Sequence, residues 1–218
     1  MKKLMTMVLV ACLMIGCGST SKPEEPVEET AVDSVALGLK EIPMKQVTVG
    51  AKTYNVADRP DTMKVYKDSV SRDSCFIVIS KREYRLYVYE KSGKDTSLVA
   101  HFPICYAKNK EAKTRSGDMC TPESTMDQPF HISQIQDASS WEHDFGDGRG
   151  SLKAYGAWFM RLETPGFTGV GIHDSTNNEA SVPGRDSEGC IRLRDNDLLV
   201  LHDRYAQVGM PVVILPYE

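Results

Sequence analysis

The sequence predicts a mainly β domain with one short helix near its C-terminus. Short apolar or alternating runs recur through residues 76–215, and loops rich in Gly, Pro and Asp separate them. A single segment carries helical spacing with a cap before it and a stop after it. The chain has 218 residues, 41% of them hydrophobic, which suffices for one domain with a substantial core.

Reading from the N-terminus, Lys2 and Lys3 precede an apolar run over residues 4–15 that is too short for a permanent membrane span. It is expected to be a signal peptide. The run ends in Leu13-Met14-Ile15-Gly16-Cys17, which is similar to the bacterial lipobox, where the cysteine becomes lipidated and N-terminal after cleavage. Cys17 is then the lipidation site and membrane anchor; the plainer alternative is a secretory cleavage site beside a bystander cysteine. Both place the protein outside the cytoplasm, in the cell envelope, with the anchored form expected to face the periplasm. Residues 18–29 repeat acids and prolines without apolar periodicity, so they cannot bury enough surface to fold and form a tether. Between residues 32 and 72, Val47, Val49, Tyr54 and Val56 alternate with polar residues around Gly50, as an extra hairpin or as part of the tether. The expected division is therefore a signal over 1–17, a tether with an uncertain N-terminal segment over 18–72, and a catalytic-sized domain over 73–218.

Within that domain, Phe76-Ile77-Val78-Ile79 is strand-like, and Tyr84, Leu86 and Val88 alternate with Arg85, Tyr87 and Tyr89 as the partner strand of a hairpin. Lys91-Ser92-Gly93-Lys94-Asp95 supplies the next turn, before an apolar stretch over 98–105. The pattern continues through Phe130-His131-Ile132-Ser133, through residues 157–162 and through Val170-Gly171-Ile172-His173. The helix starts at Asp195 or Asn196 as cap, places Leu198, Leu201 and Tyr205 on one face, and stops at Gly209-Met210-Pro211. Val212-Val213-Ile214-Leu215 is a closing strand.

A formal charge of -4 and a pI near 5.8 exclude a nucleic-acid partner, because phosphate neutralisation needs a concentrated basic face. The chemistry concentrates in Gly171-Ile172-His173 and Ser187-Glu188-Gly189-Cys190-Ile191-Arg192-Leu193. A free cysteine is commonly a small buried hydrophobe. Here Gly189 lets backbone approach a substrate, N–H groups near Cys190 can serve an oxyanion, and a histidine ending an earlier strand can take the thiol proton. Spacing alone leaves structural and metal-binding roles open.

Taken with Asp197, these two segments resemble the L,D-transpeptidase catalytic domain known as YkuD. Residues 103–110 and Gly117-Asp118-Met119-Cys120-Thr121-Pro122-Glu123 are similar to the family's substrate-proximal strand and its Thr-Pro-x-Gly segment. The resemblance covers about residues 75–215 and implies a YkuD-like β-sandwich acting on peptidoglycan stem peptides. It implies Cys190 as the acylated nucleophile, His173 as general base and acid, and Ser187, Gly189 and Arg192 in the surrounding pocket. Arg192 would either bind a substrate carboxylate or brace the loop. The implied reaction is a two-step acyl transfer that needs no metal and no organic cofactor. Its rivals are hydrolysis of the same acyl-enzyme, as an L,D-carboxypeptidase or endopeptidase, and an idle wall-binding lipoprotein. This chain departs from the family pattern at Glu188, where many members have His, and at Asp174 and Ser124, where they have Gly. Two carboxylates beside the thiol would raise its pKa or recognise a substrate amine.

Other features read more plainly. Asp144-Phe145-Gly146-Asp147-Gly148 lacks the ligand spacing of a calcium loop and is expected to be a turn. His131, His143, Trp141 and Trp158 are expected in the core rather than against ligand, and His202 on the helix surface or in packing. An oxidising envelope would permit one disulfide among Cys75, Cys105 and Cys120, with Cys105–Cys120 as the working choice.

Overall fold

The computed structural model describes residues 44–49, 52–57, 62–67 and 69–218. The signal, Cys17 and the acidic tether lie outside the described residues. No described helix is long and apolar enough to cross a membrane. In chain order the elements are β1 (Met44–Val49), β2 (Lys52–Ala57), β3 (Lys64–Val65), β4 (Cys75–Ser80), β5 (Arg85–Ser92), β6 (Asp95–Pro103), β7 (Cys105–Ala107), β8 (Asn109–Ala112) and β9 (Cys120–Thr121). They continue with β10 (Phe130–Asp137), β11 (Glu142–Asp144), β12 (Ser151–Lys153), β13 (Trp158–Glu163), β14 (Gly171–Asp174), β15 (Gly184–Ser187), β16 (Ile191–Leu193), α1 (Asp195–Arg204) and β17 (Pro211–Leu215). Antiparallel pairing of β1 with β2, Val47 opposite Tyr54, makes the N-terminal segment a hairpin.

Eleven strands share one hydrogen-bonded sheet in the order β15-β7-β16-β14-β13-β10-β17-β4-β5-β6-β3. Laid flat, such a sheet would hold its edges about 48 Å apart. Yet Ile104 alone separates the end of β6 from the start of β7, which sit near opposite edges. The sheet therefore folds over on itself, and the chain crosses between the facing halves at Ile104, a sandwich corner. The Ile104 N–H donates to the Tyr84 carbonyl at 3.0 Å, and its own carbonyl accepts the Gly184 N–H at 3.1 Å. One residue thus ties the turn before β5 in one half to β15 of the other. Residues of both halves, among them Ile77, Leu86 and Phe102 on one side and Tyr106, Ile172 and Ile191 on the other, join one buried apolar cluster. The opposite face of β4 and β5 buries Phe76, Val78, Tyr87 and Tyr89 with Val213 in a smaller cluster. This second layer is why β4 reads as a continuous apolar run rather than an alternating one.

Three expectations need correction. Tyr84 does not open the strand: it turns the chain with φ 55, and β5 begins at Arg85. The cap of α1 is Arg194, without a side-chain hydrogen bond, because the Asp195 carboxylate instead accepts from Thr176 Oγ1 at 2.9 Å. Leu198, Leu201 and Tyr205 are buried on one face, as the spacing predicts. The Cys105–Cys120 disulfide is not formed; both cysteines, like Cys75, are free and buried. Cys105 Sγ accepts the Asp186 N–H at 3.2 Å, whereas Cys120 Sγ donates to the Asp118 carbonyl at 3.4 Å, so the two sulfurs serve different segments. Burial raises the pKa of all three thiols, Cys75 to about 11, and keeps them protonated.

Because Ile104 is fully buried at the corner, Ile104→Ala should cost about 2–5 kcal/mol in chemical denaturation. Val208→Ala, at a side chain 60% exposed, should change stability by no more than about 0.5 kcal/mol.

Candidate active site

The site grows from one parallel pairing. β14 and β16 lie side by side with Ile172 opposite Ile191 and His173 opposite Arg192. Side chains alternate across a strand, and Ile172, Ile191 and Leu193 are fully buried in the main core. His173 and Arg192, and Cys190 just before β16, are thereby set on the other face. There they line one open groove of about 250 Å³.

Around the sulfur, the Cys190 thiol donates to the Gly169 carbonyl at 3.4 Å, and the backbone N–H of Gly171 favours its thiolate. Burial nevertheless outweighs that contact and the cations Arg192, Arg161 and Lys113, so the thiol pKa is raised. His173 is 4% exposed, and its Nδ1 lies 2.6 Å from the Asp174 carbonyl. A carbonyl can only accept, so Nδ1 carries the hydrogen and Nε2 keeps its lone pair. Burial and the neighbouring Arg192 lower the imidazole pKa to about 3. The resting pair is a neutral thiol and a neutral imidazole. Tyr155 packs on the His173 ring at 5.0 Å, and Phe159 stacks on it at 5.6 Å, fixing its plane.

The loop before Cys190 is braced internally. Ser187 Oγ donates to the Cys190 carbonyl at 2.6 Å and accepts the Gly189 N–H at 3.2 Å. Ser187 and Gly189, expected around a reacting carbonyl, therefore hold the turn first, and the Gly189 N–H is engaged within it. Thr121 Oγ1 accepts the Ala107 N–H at 3.2 Å and donates to the Gly189 carbonyl at 3.1 Å, joining β7, β9 and this loop. Gly189 has φ 152, and a Cβ there would come within 3.2 Å of the Cys120 carbonyl, so the turn needs glycine. Arg192 is buried, 3.4 Å from the Asp186 carbonyl and 3.6 Å from its carboxylate, with its guanidinium over Phe145 at 5.6 Å. Of its two expected roles, bracing is the one the geometry meets.

The two acids separate. Asp174 falls on the opposite strand face from His173 and accepts the Ala157 N–H at 2.7 Å and the Thr176 hydroxyl at 2.9 Å. Its carboxylate fills the space a Cβ on Gly156 would occupy, so it locks a loop and does not adjoin the thiol. Glu188 does line the groove, 3.4 Å from His143 Nε2. Ser124 sits away from the groove, holding β17 through the Ile214 N–H at 3.0 Å.

Groove residues that the sequence did not assign to the site include Lys113, Phe145, Tyr155 and His143, the last expected in the core. His143 and Phe145 come from β11 and the turn after it, whose polar three-residue strands carry little signal. Asp144 accepts the Gly146 N–H at 2.8 Å, as the turn reading predicts. Trp141 packs behind the groove on Tyr155 and Phe159, while His131 is exposed. Trp158 is half-buried and stacks on His202 at 4.2 Å.

A strand-borne imidazole with a free Nε2, sharing a groove with a thiol, defines a site for nucleophilic chemistry at sulfur within a β-sandwich. The chain belongs to the L,D-transpeptidase catalytic domain (YkuD) family, whose pattern matches residues 75–214. Among solved structures it is similar to the helical cell shape determining protein Pgp2 from Campylobacter jejuni, with 18% identity, a TM-score of 0.48, and 74% of this chain and 53% of that one covered. Bdellovibrio bacteriovorus Bd1075 aligns with 20% identity and a TM-score of 0.46 over 72% of this chain and 53% of its own. The L,D-transpeptidase from Xylanimonas cellulosilytica aligns with 16% identity and a TM-score of 0.45 over 84% and 67%. This chain thus spans about half the length of Pgp2 and Bd1075. No curated protein matches it.

A protonated resting thiol has a kinetic signature. Alkylation of Cys190 by iodoacetamide should keep accelerating beyond about pH 9, above the ordinary thiol range. A plateau below pH 8 would show a preformed thiolate–imidazolium pair instead.

Proposed function

We propose that the protein is a peptidoglycan L,D-transpeptidase, anchored in the cell envelope through lipid on Cys17 and acting on stem peptides in the periplasm. The observation that carries this reading is the His173 tautomer: Nδ1–H is fixed to the Asp174 carbonyl, which leaves Nε2 as a base in the groove of Cys190. Family membership supplies the substrate class.

The steps then follow. The Cys190 thiol gives its proton to His173 Nε2 as sulfur attacks the carbonyl on the L-centre of a diamino acid. The C–N bond to the terminal D-alanine breaks, His173 returns the proton to the leaving amine, and a thioester on Cys190 remains. An acceptor amine from a second stem attacks that thioester, its proton passes through His173 to the departing sulfur, and the cross-link is complete. The brace from Ser187 and Thr121 keeps the Gly189-Cys190 peptide in one conformation throughout, so little reorganisation accompanies attack.

Mass spectrometry of the soluble domain incubated with disaccharide tetrapeptide should show an acyl adduct on Cys190 and dimers joined between two diamino acids. Cys190→Ala should give neither, and His173→Ala should slow adduct formation by about a hundredfold or more. Shortened monomers alone would assign hydrolysis, and no adduct on the parent protein would overturn acyl transfer.

A further inference from the structure

The charges of the groove do not balance evenly. Lys113 lines it, but its ammonium is 2.8 Å from the Asp118 carboxylate, and both side chains are nearly buried, 7% and 8% exposed. Arg192 lines it as well, with its guanidinium turned to Asp186. Each groove cation therefore already has its carboxylate. Glu188 is the reverse case: its partner is the imidazole of His143, 3.4 Å away, rather than an ammonium or guanidinium, and its side chain remains 40% exposed. It stands two residues before Cys190, on the loop that Ser187 and Thr121 brace, so its position relative to the sulfur is fixed. Burial, Cys190 and Glu188 raise the pKa of the Tyr155 hydroxyl together, which places thiol and carboxylate around one volume.

From this geometry we infer that Glu188 is the docking point for the ammonium group of the acyl acceptor, holding an amine beside the Cys190 thioester in preference to water. The inference rests on the acyl-transfer reading above and names the residue that biases it toward transfer. An acceptor bound as ammonium releases its proton to solvent at the open groove before attack, so Glu188 supplies local concentration and orientation and takes no part in bond making. His143, whose Nε2 lies 3.4 Å from the same carboxylate, holds it toward the groove and yields when an ammonium arrives. A carboxylate–ammonium contact in a partly exposed site is salt-sensitive.

The test has two arms. In the first, the partition of the acyl-enzyme between dimer and hydrolysed monomer is titrated with acceptor peptide for the parent and for Glu188→Gln; the ratio is internal to the acyl-enzyme and independent of how fast it forms. The acceptor concentration giving equal products should rise about tenfold in Glu188→Gln, and raised salt should weaken the parent but not the variant. An unchanged partition overturns the proposal. In the second arm, calorimetry follows binding of the amine-bearing acceptor to Cys190→Ala and to Cys190→Ala with Glu188→Gln. Binding that is lost with Glu188, from a parent that forms no adduct, would sustain ammonium recognition while rejecting acyl transfer; equal binding by both proteins would reject the recognition itself.

Discussion

Everything at the site depends on the register between β14 and β16. Ile172 opposite Ile191 sends both side chains into the core, and strand alternation then leaves His173, Arg192 and Cys190 no face but the groove. A slip of one residue in either strand would turn that strand's isoleucine out of the core and its groove residue into it. Burial of the apolar residues and presentation of the reactive ones are thus one constraint, enforced by the same hydrophobic energy. The crossing at Ile104 extends it: β7, which flanks β16, is fixed to the far half of the sandwich through a single residue.

The enclosure that fixes the imidazole also sets its chemistry. Burial and Arg192 disfavour the imidazolium, and burial disfavours the thiolate, so Cys190 and His173 rest uncharged. In the proposed acyl transfer the ion pair therefore forms only as sulfur attacks, not in the resting site. A protonated thiol is also a poor target for stray electrophiles and oxidants.

The frame was legible in the sequence where burial writes a period. β4, β5, β13, β14 and β17 coincide with apolar or alternating runs, and α1 with its stripe of Leu198, Leu201 and Tyr205. Cys190 and His173 were legible through their motifs, and the groove brings them together as the resemblance implies. What escaped was long-range or polar. β11 and β12 have three residues each and mostly exposed side chains, so nothing periodic announces the strand that carries His143 or the turn that carries Phe145. Lys113 reaches the groove from a loop whose shape is held by Asp118, which accepts the N–H groups of Thr114, Arg115 and Cys120. Burial works against the Asp118 charge, yet Lys113 and those N–H groups keep its pKa well below the ordinary range. Such folded-back loops depend on contacts that no local pattern encodes.

Asp174 shows how parity sharpens a motif. The sequence sets two acids near the thiol, at Asp174 and Glu188, and together they would argue for a site too negative to form a thiolate. Asp174, however, directly follows His173 in a strand and so takes the opposite face, where the Ala157 N–H and Thr176 engage it and Gly156 leaves it room. Its departure from the family pattern belongs to the folding of a loop. The negative charge at the groove reduces to Glu188, while Arg192, Arg161 and Lys113 all act on the sulfur in the direction that favours the thiolate. The case for an idle wall-binding protein rested on both acids opposing the nucleophile. Asp174 lies on the far face and Glu188 sits 3.4 Å from His143 at the groove, and Cys190 and His173 still share that groove.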